Sequence, residues 1–498
     1  MSEPITRSAL YKAMAAMGEY FVLGRSIQEA IKNGGEDALS CYSFDMLGEA
    51  ALCEMDAERY LQRYRLAIKD VSQHNAISGN THHSSVSIKL SALHPRYEER
   101  QRSRVMTELY QTCLGLLLEA RKLNVDITLD AEEMDRFELY LDLFEKLYQS
   151  KCLKGWKGFG LVIQAYSKRA LPALIWLSAL AKEQGDRINI RLVKGAYWDS
   201  EIKWAQQAGL SDFPVFTRKE STDLNYLACA RFLLTEDVRP QLFPQFATHN
   251  AHTVSCIIEM ATHDEFEFQR LHGMGGALYE VLARRQIKAN LPTYRFRTYA
   301  PVGEHAELLP YLVRRLLENG ANASFVHQLA DSNENDKNDV VLVKSPADAL
   351  QELKHLYGDG AYRDARISLP LDIFGDKRKN SAGLNLNVEY QRDNLLQQVG
   401  IYWESKALEG VTPSSDLEVE EAINNAEKSF HQWNAKGAEA RAVCLDSMAD
   451  LLEDNAAELI ALCQIEAGKT FQDSIDEIRE AVDFCRYYAQ QARADFTV

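Results

Sequence analysis

The sequence predicts an α/β fold: a distorted (βα)8 TIM-like barrel with an N-terminal helical arm and a helical C-terminal extension. Three observations carry this expectation. A strand-then-helix alternation repeats about eight times, the signature of a parallel sheet joined by helical crossovers. The strand ends are uniformly polar and large, as they are where the loops at the carboxyl face of a barrel build a pocket. From about Asp416 onward the chain is nearly all amphipathic helix.

Taken in order, residues 1–40 read as a helical arm with Ala-, Met- and Leu-rich periodicity, stopped by Asn33-Gly-Gly35. Residues 41–330 hold the barrel. Its candidate strands are Tyr42 to Leu47, Val86 to Leu90, Val125 to Asp130, Gly160 to Ala165, Ile188 to Lys194, Phe243 to His249, Glu267 to Leu271 and Tyr294 to Ala300. Their ends carry Asp45, Lys89, Asp130 with Glu132, Gln164, Arg191 with Lys194, His249 with Asn250, and Tyr299. Residues 331–415 open with a polar loop and read as a linker and barrel-flanking segment, and residues 416–498 are too few for a complete catalytic domain.

With 46% hydrophobic and 26% charged residues in 498, the chain can bury a large core. A formal charge of −16, with no basic run, argues against nucleic acid as a partner. Cys41, Cys53, Cys113, Cys152, Cys229, Cys256, Cys444, Cys463 and Cys485 are scattered without a Cys-x-x-Cys pair, so they read as buried small apolar residues in a reducing compartment. Neither a signal core nor a run of about 18 apolar residues is visible, which suits the cytoplasm.

Several short motifs fail on spacing. Gly468-Lys469-Thr470 resembles the end of a phosphate-binding loop, but Cys463 stands where the leading glycine is required. Gly273-Met-Gly275 lacks the third glycine of a dinucleotide turn, having Leu278 instead. His82 and His83 come with no metal-ligand spacing, so no metal is expected. Arg314 and Arg315 are adjacent on a helix, about 100° apart, so two guanidinium forks could enclose one carboxylate. The plain alternative is a surface pair between Arg314 and Glu318, four residues on. Lys89 and Lys194 could be Schiff-base nucleophiles of an aldolase or fixed cations. The neighbouring excess of cations, Arg191, Lys194, Lys219, Arg314 and Arg315, favours anion binding.

The segments Ser87-Ile-Lys-Leu-Ser-Ala-Leu-His94, Asp130-Ala-Glu-Glu133, Arg191-Leu-Val-Lys-Gly-Ala-Tyr-Trp198, Phe246-Ala-Thr-His-Asn250 and Arg314-Arg-Leu-Leu-Glu-Asn-Gly320 resemble flavin-dependent proline dehydrogenases, and more closely the bacterial bifunctional proline utilization (PutA) family. The resemblance covers roughly residues 10 to 390. It implies noncovalent FAD and oxidation of L-proline to Δ1-pyrroline-5-carboxylate by hydride transfer to flavin N5, the first step of proline catabolism to glutamate. Arg314, Arg315 and Lys89 would bind the substrate carboxylate. Tyr299 and Leu271 would pack on its ring, with Asp130 and Tyr197 lining the pocket and Arg191 near N5. Val162, Gln164, Lys194, Gly195, Ala196, Trp198, Thr217, Lys219, Thr248, His249, Asn250, Glu318 and Phe325 would complete the cofactor shell. Electrons would pass to a quinone, which implies peripheral contact with the inner face of the membrane and leaves room for a homo-oligomer.

Residues Arg441 to Phe496, with Glu466-Ala-Gly-Lys-Thr470 and Glu477-Ile-Arg-Glu-Ala-Val-Asp-Phe484, resemble the first helices of the family's aldehyde dehydrogenase half. The catalytic cysteine and NAD fold of that half are not in this sequence, so neither NAD nor a second activity is expected of it. The ribbon-helix-helix module of longer relatives is likewise not in it. A Schiff-base aldolase on the same barrel, or an inactive interaction protein, is the competing reading.

Overall fold

The computed structural model describes residues 18, 20–35, 41–78, 82–288, 294–304, 311–312, 314, 346–358, 363–403 and 412–496. Eight parallel strands close on themselves in sequence order: β1 (Cys41–Met46), β2 (Ser85–Ile88), β3 (Ile127–Leu129), β4 (Phe159–Gln164), β5 (Ile188–Val193), β6 (Leu242–Ala247), β7 (Glu267–Leu271) and β8 (Arg295–Val302). Closure is made by β8 lying beside β1, with Ser43 opposite Tyr299 and Asp45 opposite Pro301. The expected strands are all present, with ends shifted by a residue or two except β7, which matches. Leu90, expected in a strand, instead opens the short helix Leu90–Leu93.

The strands are short because each must bury one face under helices and fill the barrel with the other. Phe44, Val86, Ile88, Ile127, Leu161, Ile163, Ile190, Leu192, Phe246, Phe268, Ala300 and Val302 are buried in the shell between sheet and helices. That shell is covered by, among others, the helices Glu54–Ser78, Tyr110–Lys122, Phe137–Tyr148, Ala170–Gln184 and Lys219–Leu233. The alternate residues face inward and are largely polar, where barrels of this type usually place branched apolar side chains. Their contacts prove the direction: Arg191 on β5 hydrogen-bonds Ser43 on β1, and strands so far apart in a closed barrel can meet only across its interior.

The arm is not one helix. Its described part is broken at 22–26, where Gly24 pairs with Val302 as a parallel bridge, and it resumes as Ile27–Gly34 with Ser26 as N-cap and Gly35 (φ 73°) ending it. Gly24 is required there because a Cβ would stand 2.5 Å from the Ala30 amide nitrogen. Six cysteines depart from expectation as well, Cys256, Cys463 and Cys485 being half-buried. Cys53, Cys152 and Cys444 are exposed, each on a segment outside the barrel shell, and only Cys41, Cys113 and Cys229 are fully buried.

The chain divides into two compact units, residues 1–198 with 214–364, and residues 199–213 with 365–498. The second contains the helices Glu389–Trp403, Asp416–Ala435, Gly437–Asp454, Ala456–Ala467 and Phe471–Phe496, around Leu395, Val399, Ala449, Ile460, Ile475 and Val482. Asp416–Ala435 starts with a capping box, Ser415 and Glu418 satisfying each other's backbone amides. Gly468 is the left-handed C-cap of one helix and Thr470 accepts from the Asp473 amide at the start of the next, which accounts for Gly-Lys-Thr as punctuation between helices.

Candidate active site

β1, β2, β3 and β5 bring four charges together, and β8 adds the Tyr299 hydroxyl. Lys89 Nζ lies 2.8 Å from Asp45 Oδ1 and 3.6 Å from Asp130 Oδ2. Burial alone would lower its pKa, but the Asp45 carboxylate above all, with Asp130 beyond it, outweighs burial and holds the ammonium well above its ordinary value. An amine kept protonated lacks the lone pair a Schiff base requires. Tyr299 donates to Asp130 Oδ2 at 2.7 Å, and the buried Tyr64 hydroxyl accepts the Lys89 amide at 3.1 Å.

Arg191 is the centre of this cluster. Its Nη1 donates to Asp130 Oδ1 (2.8 Å) and Ser87 Oγ (3.0 Å), its Nη2 to Ser43 Oγ (2.9 Å), and its Nε to Gln269 Oε1 (2.6 Å). The guanidinium lies 5.1 Å from the centroid of the Tyr299 ring. Of these partners, Ser43, Ser87 and Gln269 escaped the sequence reading. Their signal was present: β1 reads Cys-Tyr-Ser-Phe-Asp and β7 Glu-Phe-Gln-Arg-Leu, a polar alternation that a uniformly buried parallel strand does not need.

Arg314 is half-buried and gives both terminal nitrogens to Glu49, 2.7 Å each, in the bidentate geometry of a carboxylate grip. It also lies 5.4 Å from the Tyr197 ring centroid. Glu49 is 265 positions away in sequence and no local pattern announces it. The proposed partner Glu318, with Arg315 and Phe325, lies outside the described residues.

The expected cofactor residues follow the ends of β4, β5 and β6. Gln164 donates to the Glu132 carbonyl (2.8 Å) and accepts from the Ala196 amide (3.3 Å). Val162 is buried, its amide donating to Tyr140. Gly195 turns at φ 141°, and a Cβ there would come within 2.4 Å of the Tyr166 ring. Trp198 donates to the Phe216 carbonyl (2.8 Å), and Thr217 accepts from the Asp364 amide (2.8 Å). Lys194 and Lys219 converge on one carboxylate, Asp223. Burial pushes the Lys194 ammonium below its ordinary range, against the attraction of Asp223. Asn250 caps the helix Ala251–Met260 through the Thr253 amide (3.0 Å), Thr248 accepts from the Asn250 amide (3.2 Å), and His249 Nε2 accepts from the Leu271 amide (2.9 Å). Because Nε2 accepts, the ring proton of a neutral His249 resides on Nδ1.

This donor set fits a diphosphate-bearing cofactor. Two lysines against one aspartate leave excess positive charge beside the start of helix Lys219–Leu233, which no side chain caps. Among the described residues no cluster of three metal-binding side chains occurs.

The proline dehydrogenase model matches residues 27–328, more than half of the chain. The chain belongs to the proline dehydrogenase family. The aldehyde dehydrogenase family model matches residues 402–497. The chain is 44% identical to the bifunctional protein PutA of Salmonella typhimurium over 99% of its own length and 40% of that protein's. It is 28% identical to proline dehydrogenase 1 of Bacillus subtilis over 61% of this chain and 88% of that one. Among solved structures, a crystal structure of a bifunctional proline utilization A protein matches with TM-score 0.86 and 46% identity, over 99% of this chain and 48% of that one. This member of the proline dehydrogenase family thus spans less than half the length of the PutA proteins it matches.

Proposed function

We propose that the chain oxidises L-proline to Δ1-pyrroline-5-carboxylate, with FAD as hydride acceptor and a quinone as the onward acceptor. The observation that carries the reading is the Arg191 guanidinium, held across the barrel interior by Ser43, Ser87, Asp130 and Gln269. Bound FAD would accept the hydride that leaves the ring carbon beside the proline nitrogen. The protein's part is orientation and charge. Arg314, Arg315 and Lys89 grip the substrate carboxylate, and Glu49 must release Arg314 for that to happen. Tyr299 and Leu271 pack on the ring, and Tyr197 lines the pocket beside Arg314. Asp130 keeps Lys89, Arg191 and Tyr299 in register, and Arg191 supplies a fixed positive charge to the cofactor side.

Gln164, Lys194, Ala196, Trp198, Thr217, Lys219, Thr248, His249 and Asn250 hold the cofactor with Val162, Gly195, Glu318 and Phe325. In this reading residues 1–40 are the arm, 41–330 the dehydrogenase barrel, 331–415 the flanking linker, and 416–498 the opening part of an aldehyde dehydrogenase-like domain, to which no second activity is assigned. The enzyme works in the cytoplasm and meets the quinone at the membrane surface, and among the described residues no helix is long and apolar enough to cross a membrane. The test is an absorbance spectrum from about 300 to 550 nm before and after anaerobic addition of L-proline. A flavin spectrum bleached by proline is expected. A protein that stays colourless when supplied with FAD would sink the reading.

A further inference from the structure

Gln269, on β7, is almost completely buried and touches Arg191 through a side-chain amide whose orientation is forced. Its Nε2 donates to Glu267 Oε1 at 2.6 Å, and an ionised carboxylate only accepts. The amide oxygen is therefore turned to the Arg191 Nε–H. A flipped amide would set donor against donor and acceptor against acceptor. Glu267 is itself fixed by Arg297, Nε at 2.7 Å and Nη2 at 3.3 Å, and by Gln245 at 3.0 Å. Arg297 in turn donates to the carbonyls of Tyr42 and His83 and to Ser85 Oγ. With Glu267 paired to Arg297, the group that Arg191 touches on this side is the neutral Gln269 amide.

We propose that Gln269, oriented by the Glu267–Arg297 pair deeper in the barrel, is a positioning residue that fixes the Arg191 guanidinium and spares its charge from a second neutralisation beyond Asp130. The inference rests on the flavin chemistry proposed above and extends it to residues that touch neither substrate nor cofactor. A buried ion pair joined only to the backbone would serve the fold alone. Here it is joined, through one amide, to the cation at the mouth.

The experiment uses the full chain loaded with FAD. A wild type that holds no FAD overturns the proposed function and this inference with it; a wild type bleached by proline leaves the relay alone under test. Gln269→Met keeps the side-chain volume and removes both hydrogen bonds. The expected variant retains FAD, changes KM by less than about twofold, loses about tenfold to a hundredfold in kcat, and has a lower flavin midpoint potential. An unchanged potential with unchanged kcat overturns the proposal, even if thermal stability falls. Should Gln269→Met fail to fold, Gln269→Glu decides. Beside Glu267 its carboxyl keeps a proton at low pH and presents the wild-type pattern, and at higher pH it ionises against Arg191. Potential and kcat should then fall with rising pH in a way the wild type does not, and a profile matching the wild type overturns the proposal.

Discussion

Arg314 meets a carboxylate through two parallel hydrogen bonds of 2.7 Å, so the grip required for a substrate is displayed on an internal group. Losing a charge-assisted pair costs about 1.5–3 kcal/mol per bond. Arg314→Ala should therefore raise KM for proline by at least roughly a hundredfold while leaving the flavin spectrum unchanged, which steady-state kinetics and absorbance together would check. Glu132 offers a second prediction. Burial first of all, opposed by Arg136 and aided by Glu133, raises its pKa from 4.5 to about 7. A carboxyl whose folded pKa is raised binds more protons folded than unfolded, so its contribution to stability declines as pH rises from about 4.5 and levels off above about 7. Denaturant titrations across that window should show the decline in wild type, and Glu132→Gln should remove it. An identical slope in the variant would refute the assignment.

At the level of elements, the turn after β5 presents Lys194, Ala196 and Tyr197 because Gly195 accepts φ 141° against the Tyr166 ring. Gly195→Ala should cost about 1–3 kcal/mol and weaken FAD retention, measurable as a lower thermal midpoint and free flavin after desalting. Much of this level was legible. Strand-then-helix alternation located all eight strands, and of the polar residues at their ends Asp45, Lys89, Asp130 and Tyr299 gather in the cluster around Arg191. What stayed hidden was the barrel filling. Parallel strands covered on both faces are expected to read as continuous apolar runs, so Ser43, Ser87, Gln269, Glu267 and Arg297 were passed over although they alternate with Phe44, Ile88, Phe268 and Phe296. Glu49 was illegible for another reason: a pairing across 265 residues leaves no trace in local pattern.

For the whole molecule, the described residues assigned to the chemistry all belong to one compact unit. The other unit includes the helix Asp416–Ala435, which has no buried residue and leaves Leu417, Val419, Ile423, Phe430 and Trp433 exposed. Large exposed apolar side chains at such density favour association and loosened structure. Limited proteolysis should cut first within the helix Asp416–Ala435 and leave a proline-bleachable flavin fragment. Prior loss of activity with that cut would show that the units depend on each other.

Closure of the sheet has a temporal consequence. Cys41 on β1 takes Arg297 on β8 as its ladder partner, a separation of 256 residues (297 − 41). At a synthesis rate of about 5–20 residues per second, β1 waits roughly 10 to 50 s on the ribosome before its last neighbour emerges. Throughout that interval one flank of the nascent sheet stays unpaired and able to recruit a foreign strand, so yield in the cell should depend on translation speed and on chaperones that shield the growing edge.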